Sequence, residues 1–424
     1  MTTDALLPPQ ARAKRTFLFL QGPSSPLFSK CAAGLEERGH ACLRINLNIG
    51  DWIFWRRRGG VNYRGRRERW PEFVRDFMAR NGVTDLLLLG EERPYHKAAV
   101  LAAKALGIDI HVVEMGYMRP DWVTFERDGI SSNSHFPREP QRILAAAAGL
   151  PDPDWTVRYR HRFVVEAGYD LLYNLPNVFL WFLYPHYRRH ALFHPLAEYA
   201  GWVLRLLRKK RTEAQTQETC GRLLGSGAPF FVYPLQLQTD YQLRAHSPFA
   251  NQQEAISRIV SSFAAHAAGN HQLLVKLHPL DNGLIDWRAH IESEAQRHGI
   301  SGRIHTIDGG NLDRLIDAAV GLVTVNSTAA LGAFRKHKPV KTLGSAVFDT
   351  PGLSYPGPLD AFWKDPFPAE RALEDAFFRL LAQEYQVRGN FYSDAGSSAA
   401  ADAIVHRLVG TSGEGRAAAH NSQT

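Results

Sequence analysis

Two short motifs sit where an apolar run gives way to a turn, and both could hold an anion. Lys276-Leu277-His278-Pro279 closes the run over 272–277. A lysine there offers a point charge and a histidine a hydrogen-bond donor, which suits a phosphate leaving group. Asn326-Ser327-Thr328 stands between an apolar run and a helical pattern, so Ser327 or Thr328 caps the helix. Free N–H groups make such a junction an anion site. A plain helix cap and an ordinary His-Pro loop are the blander readings. Taken together on neighbouring strand ends, the two motifs favour a nucleotide phosphate. Acidic groups follow other strand ends: Asp240 after Gln236, and Glu114, Glu126 and Asp128 around Gly116-Tyr117-Met118-Arg119. Paired carboxylates beside an anion site are what glycosyl transfer needs, although a lone Asp240 could equally brace a turn.

These motifs need strands and helices to place them. Apolar runs at 16–22, 41–46, 85–90 and 108–114 alternate with helical patterns at 28–36, 70–81 and 97–106. The rhythm returns as strands at 229–234, 272–277, 304–307, 321–325 and 340–343, with helices at 251–268, 287–299, 312–319 and 328–336 between them. The fold expected is α/β and GT-B-like: two Rossmann-like domains facing a cleft, with a helical insert. The divisions are 1–150, an acceptor domain; 151–225, an aromatic and basic insert; 226–385, a nucleotide-sugar domain; 386–410, a C-terminal helical segment; and 411–424, a disordered tail.

The 424 residues are 45% hydrophobic and 22% charged, which excludes a disordered or collagen-like chain. Three cysteines exclude a disulfide scaffold and fit a reducing compartment. No run is long and apolar enough to span a bilayer, and residues 1–15 have no signal-peptide core, so a cytoplasmic location is expected. Walker, dinucleotide-binding and nucleophile-elbow patterns are absent, as is a closely spaced Cys/His zinc pattern. The net charge of +8 admits an anionic partner. Two segments concentrate aromatics with cations: the insert, ending in Arg205 and the run 208–211, and residues 52–70, with seven arginines. Both suit a membrane surface or anionic acceptor. The alternatives are a helical insert packed on the cleft and a solvated loop. No nucleic-acid motif accompanies them.

In chain order, Phe19-Leu20-Gln21-Gly22-Pro23, the stretch 44–51 beginning Arg44-Ile45-Asn46, Glu114-Met115-Gly116, Pro234-Leu235-Gln236 running to Asp240, Lys276-Leu277-His278-Pro279 and Asn326-Ser327-Thr328 closely resemble the capsule polysaccharide synthesis family, over about 17–347. The resemblance implies a retaining glycosyltransferase that takes the acidic sugar Kdo from CMP-β-Kdo. Its acceptor would be a phosphatidylglycerol-type lipid at the inner membrane of a Gram-negative bacterium. A KpsC-like transferase and the capsule export machinery would be its further partners. It implies that Lys276, His278, Pro279, Asn326, Ser327 and Thr328 hold the CMP-sugar, that Asp240 is the nucleophile and that Glu126 is the acid/base. Gln21, Gly22, Glu114, Gly116, Arg119 and Gln236 would contact substrate, with no metal and no cofactor beyond the donor. Met115 stands where the family carries an acidic residue after the first Glu of its motif, so a Glu-Asp pair is not formed there. A non-catalytic glycan- or lipid-binding component of capsule export is the alternative.

Overall fold

The computed structural model describes residues 14–160, 163–189, 191–238, 243 and 246–410. The expected nucleophile Asp240 and the tail 411–424 therefore lie outside the described residues.

Two sheets organise the chain. In the first, β1 (Thr16–Phe19), β2 (Ala41–Asn46), β3 (Gly60–Asn62), β4 (Asp85–Leu89) and β5 (Asp109–Met115) run parallel. The turn after β5 sends β6 (Trp122–Arg127) back antiparallel. The second sheet is wholly parallel: β7 (Phe230–Pro234), β8 (Gln272–Lys276), β9 (Ile304–Ile307), β10 (Gly321–Thr324) and β11 (Val340–Thr342), in the order β11-β10-β7-β8-β9. Every residue of β4 and β7 is buried, as strands covered by helices on both faces require. This is the expected GT-B-like pair of Rossmann-like domains.

The C-terminal segment differs from the all-helical expectation for 386–410. It begins with a strand, β12 (Gln386–Arg388), which pairs antiparallel with β6 and completes the first sheet in the order β12-β6-β5-β4-β1-β2-β3. The helix Asp394–Gly410 then packs Ala401, Ile404 and Val405 into the core formed by Phe17, Phe28 and Leu35. The chain thus returns to the domain it started from. The domains also share a core: Met118, Phe136 and Ile143 of the first pack with Val347, Phe377 and Leu381 of the second. The Phe136 and Phe377 rings meet edge-to-face at 5.2 Å.

The insert is fastened to both domains. Its first helix, Phe163–Phe179, lies on the first domain, where a Cβ at Gly50 would come within 2.6 Å of the Tyr173 ring. Its second, Pro195–Gly225, lies on the other, where a Cβ at Gly201 would come within 2.2 Å of the Asn282 carbonyl. Glycine lets the Tyr173 ring lie on the backbone at residue 50 and lets two backbones approach at residue 201. The segment 52–70 is not the aromatic surface its composition suggests. Trp55, Tyr63 and Trp70 belong to the core, leaving Trp52 exposed among its tryptophans. The apolar pattern of the strands claims those rings, while the arginines stay at the surface.

Candidate active site

Three loops from strand ends meet around a cavity of about 300 Å³ between the two domains. The end of β8 and the loop after it supply Lys276, His278 and Pro279; the loop after β10 supplies Ser327 and Thr328; the turn between β5 and β6 supplies Tyr117 and Arg119. Lys276 is buried, and burial lowers its pKa against the opposing pull of Asp308. His278 is pushed down to about 4 by burial, helped by Arg119, Lys276 and Arg205. It is therefore neutral at pH 7. Its Nδ1 accepts from the Leu280 N–H at 3.0 Å, so Nε2 carries the proton and is the donor. Arg205 of the insert holds this loop in place. It donates to the Pro279 carbonyl at 2.9 Å and to the Asp281 carbonyl, and pairs with Asp308. The arginine read as the start of a lipid-facing basic run is a clamp on the loop after β8.

A second cavity, of about 270 Å³, opens in the first domain and is lined by Gln21, Gly22 and Glu114. The insert closes it with Asp170, Tyr173 and Asn177. Gln21 donates to the hydroxyls of Tyr173 and, at 3.3 Å, Tyr187. Glu114 and Met115 line this cavity while Tyr117 and Arg119 line the other, so the β5–β6 turn is the partition. Met115 and Tyr117 are two residues apart, which limits their Cα separation to about 7.6 Å. Among the lining residues, Trp155, with Arg335 stacked 3.9 Å over its ring, and Asp313 were not expected as site residues from the sequence. Neither were Asp170, Tyr173 and Asn177. Their spacing along one helix face was the available signal.

Several expected ligand contacts serve the framework instead. Gln236 donates to Asn326 Oδ1 at 2.7 Å and accepts from the Asn326 N–H at 3.1 Å; both residues are buried. They tie the loop after β7 to the loop after β10 and line neither cavity. Gly116 N–H donates to the Trp122 carbonyl at 3.0 Å, and a Cβ at Gly116 would lie 2.1 Å from that oxygen. Gly116 therefore shapes the partition. Thr328 makes no side-chain cap; Ser327 Oγ accepts the Ala329 N–H at 3.3 Å, and the helix Ala329–Arg335 is short. Glu126 lines neither cavity. It lies buried behind Tyr117, whose hydroxyl donates to Glu126 Oε1 at 3.2 Å, and it also accepts from Ser134. Among the described residues, no group of three or more His, Cys, Asp or Glu could hold a metal ion.

The family model described as "Capsule polysaccharide biosynthesis protein" matches residues 84–392. The chain belongs to the capsule polysaccharide biosynthesis family. It is 30% identical over 379 residues to the Escherichia coli "Capsule polysaccharide export protein KpsS", covering 89% of this chain and 97% of that one. It is 28% identical over 388 residues to the "Capsule polysaccharide modification protein LipB" of Neisseria meningitidis serogroup A, covering 89% and 91%. Among solved structures, it is similar to Thermosulfurimonas dismutans KpsC, a "beta Kdo 2,7 transferase", with a TM-score of 0.44 and 14% identity over 93% of this chain and 99% of that one.

In this capsule biosynthesis protein the Glu126 carboxyl is pushed up to about 8, chiefly by burial and against the donors Ser134 and Tyr117. It is protonated at pH 7. A raised carboxyl stabilises the fold fully below its unfolded value and loses that contribution as pH rises through the folded value. Between pH 5 and 8, unfolding free energy is therefore expected to fall by about 3 kcal/mol on account of this group. Glu126→Gln is expected to flatten that limb in urea titrations at successive pH values. An unchanged slope removes Glu126 as its source.

Proposed function

We propose that this protein transfers Kdo from CMP-β-Kdo to a phosphatidylglycerol-type lipid, starting the poly-Kdo linker of a capsular polysaccharide with retention at the anomeric carbon. One observation carries the reading: Lys276, neutral His278 and Arg119 converge in one cavity, and a single turn separates it from a second cavity lined by Glu114. Lys276 and the His278 Nε2–H suit the single phosphate of CMP. The Arg119 guanidinium suits the carboxylate of Kdo. The Asp240 carboxylate attacks the anomeric carbon, the bond from that carbon to the phosphate oxygen breaks, and CMP leaves carrying the Glu126 proton, relayed through the Tyr117 hydroxyl. The lipid hydroxyl then attacks the same carbon, releasing Asp240 and giving its proton to the Tyr117 and Glu126 pair. A carboxyl held near 8 begins the cycle protonated and can serve as acid, then base. Two displacements give retention. A KpsC-like transferase would extend the product and the export machinery would carry it onward. No helix among the described residues is long and apolar enough to cross a membrane, which fits a peripheral place on the inner face.

The test incubates the purified protein with CMP-Kdo and a short-chain phosphatidylglycerol. CMP release with a lipid heavier by one Kdo in the mass spectrum is the expected result. The word "export" in the name of the E. coli relative favours a second reading, a non-catalytic binding component. CMP binding without turnover on any lipid supports that reading and overturns the first.

A further inference from the structure

The helix Phe163–Phe179 has two unlike faces. Tyr169, Tyr173 and Asn177, at i, i+4 and i+8, turn toward the first domain. Tyr169 meets Phe54 edge-to-face at 5.5 Å, and Asn177 Oδ1 accepts the Ile49 N–H at 3.0 Å. Val164, Leu171, Leu172 and Phe179, at i, i+7, i+8 and i+15, form an apolar stripe on the other side. They are exposed, Val164 to 72% and Phe179 to 64%. A surface helix ordinarily buries its apolar stripe; this one presents it. The second insert helix does the same with Leu196, Val203 and Leu207, the last 78% exposed, and then runs directly into Arg208-Lys209-Lys210-Arg211. The helices touch: Tyr199 Oη donates to Asp170 Oδ2 at 2.9 Å, and the Phe163 and Trp202 rings lie 6.2 Å apart. Trp181 and Phe182, in the turn that follows the first helix, are also exposed.

We propose that this two-helix face docks on an anionic lipid bilayer, with the apolar stripes and the Trp181-Phe182 turn in the interface and the run 208–211 against the headgroups. Apolar, aromatic and basic groups in this succession match an interfacial helix, and the charge complements an anionic surface. The same helix faces the second cavity with Asp170, Tyr173, Asn174 and Asn177. A helix with its side chains is about 10–12 Å across. Docking therefore sets the Glu114 cavity roughly one helix diameter from the lipid headgroups. This placement deepens the lipid-acceptor reading and rests on it.

The test is co-sedimentation of the full chain with vesicles of equimolar phosphatidylcholine and phosphatidylglycerol, and with phosphatidylcholine alone. Wild type is expected to partition at least ~10-fold more strongly onto the anionic vesicles. Leu172→Asp/Phe179→Asp and, separately, Arg208→Glu/Arg211→Glu are each expected to lose ~10-fold or more of that partitioning. CMP release with a water-soluble short-chain phosphatidylglycerol should stay at the wild-type level in both. The second pair changes only exposed helix side chains, so it keeps the test alive where the first fails to fold. Variants that sediment like wild type overturn the proposal, as does equal partitioning of wild type onto both vesicles. Vesicle binding of the expected pattern without CMP release on any lipid keeps the docking face and removes the transferase reading. CMP release without vesicle binding removes the docking face and leaves a protein partner for it.

Discussion

Asp240→Ala is expected to lower Kdo transfer by at least ~10³-fold while CMP affinity stays unchanged. A nucleophile acts on the anomeric carbon only as the leaving bond stretches, so its loss is felt in turnover and not in ground-state binding of the nucleotide. The described residues Gln238 and Leu243 on either side of Asp240 are both held in place. Gln238 Oε1 accepts the Gln252 N–H at 2.8 Å, and Leu243 is buried with Val325, which follows β10 beside the Ser327 loop. His278→Ala should do the reverse. Losing a hydrogen bond to a charged phosphate costs about 1.5–3 kcal/mol, so the Kd for CMP should rise roughly 10- to 100-fold. Calorimetry with CMP and single-turnover transfer with CMP-Kdo separate the two variants. Near-normal turnover in Asp240→Ala transfers the role to another carboxylate, and Glu114, which lines the second cavity, becomes the first to replace.

Strands β1, β2, β4, β5 and β7 to β11 were legible because they are short apolar runs separated by amphipathic helices, a pattern that depends on local periodicity alone, whereas β3 and β6 were not expected. That Lys276 and His278 line one cavity was legible for the same reason, since strand ends are where such folds gather ligands. Pairings over long separations were not. Nothing in the spacing says that Gln236 will spend its amide on Asn326, ninety residues on, rather than on a sugar. β12 escaped because three residues are too few to alternate visibly, and its partner β6 lies far back in the chain, with Val387 opposite Val123. Arg205 was hidden in a cationic run whose other members are exposed; only the turn of the helix aims it at the loop of His278. Trp55 and Trp70 were misplaced because arginines dominate their neighbourhood in sequence, whereas burial is decided by what lies across the sheet.

Breaking the buried pair Arg44 and Asp51 is expected to have the largest effect on stability. Arg44 stands on β2 and Asp51 in the helix Ile49–Trp55, with Nη2 and Oδ1 3.2 Å apart and both side chains almost wholly buried. Burial lowers the Arg44 pKa and raises that of Asp51, so each charge depends on the other to offset its desolvation. Arg44 also donates to the Leu20 carbonyl at 2.7 Å, and Asp51 accepts from the Leu47 N–H at 3.0 Å and from Tyr173 Oη at 3.1 Å. Arg44→Met or Asp51→Asn alone leaves one partner uncompensated and should cost about 3–5 kcal/mol in urea unfolding. Arg44→Met/Asp51→Leu, which removes both charges, should recover most of that loss; strictly additive single effects would show that the pair is not a unit. The consequence reaches the site through Tyr173, whose hydroxyl also receives Asn48 Nδ2 at 2.8 Å and the Gln21 amide at the wall of the second cavity. Folded Asp51→Asn should accordingly show a raised KM for the lipid acceptor with an unchanged Kd for CMP, because the Lys276 and His278 loop belongs to the other sheet. A matching loss of CMP affinity would mean that the two cavities are coupled through the insert rather than separated by the β5–β6 turn.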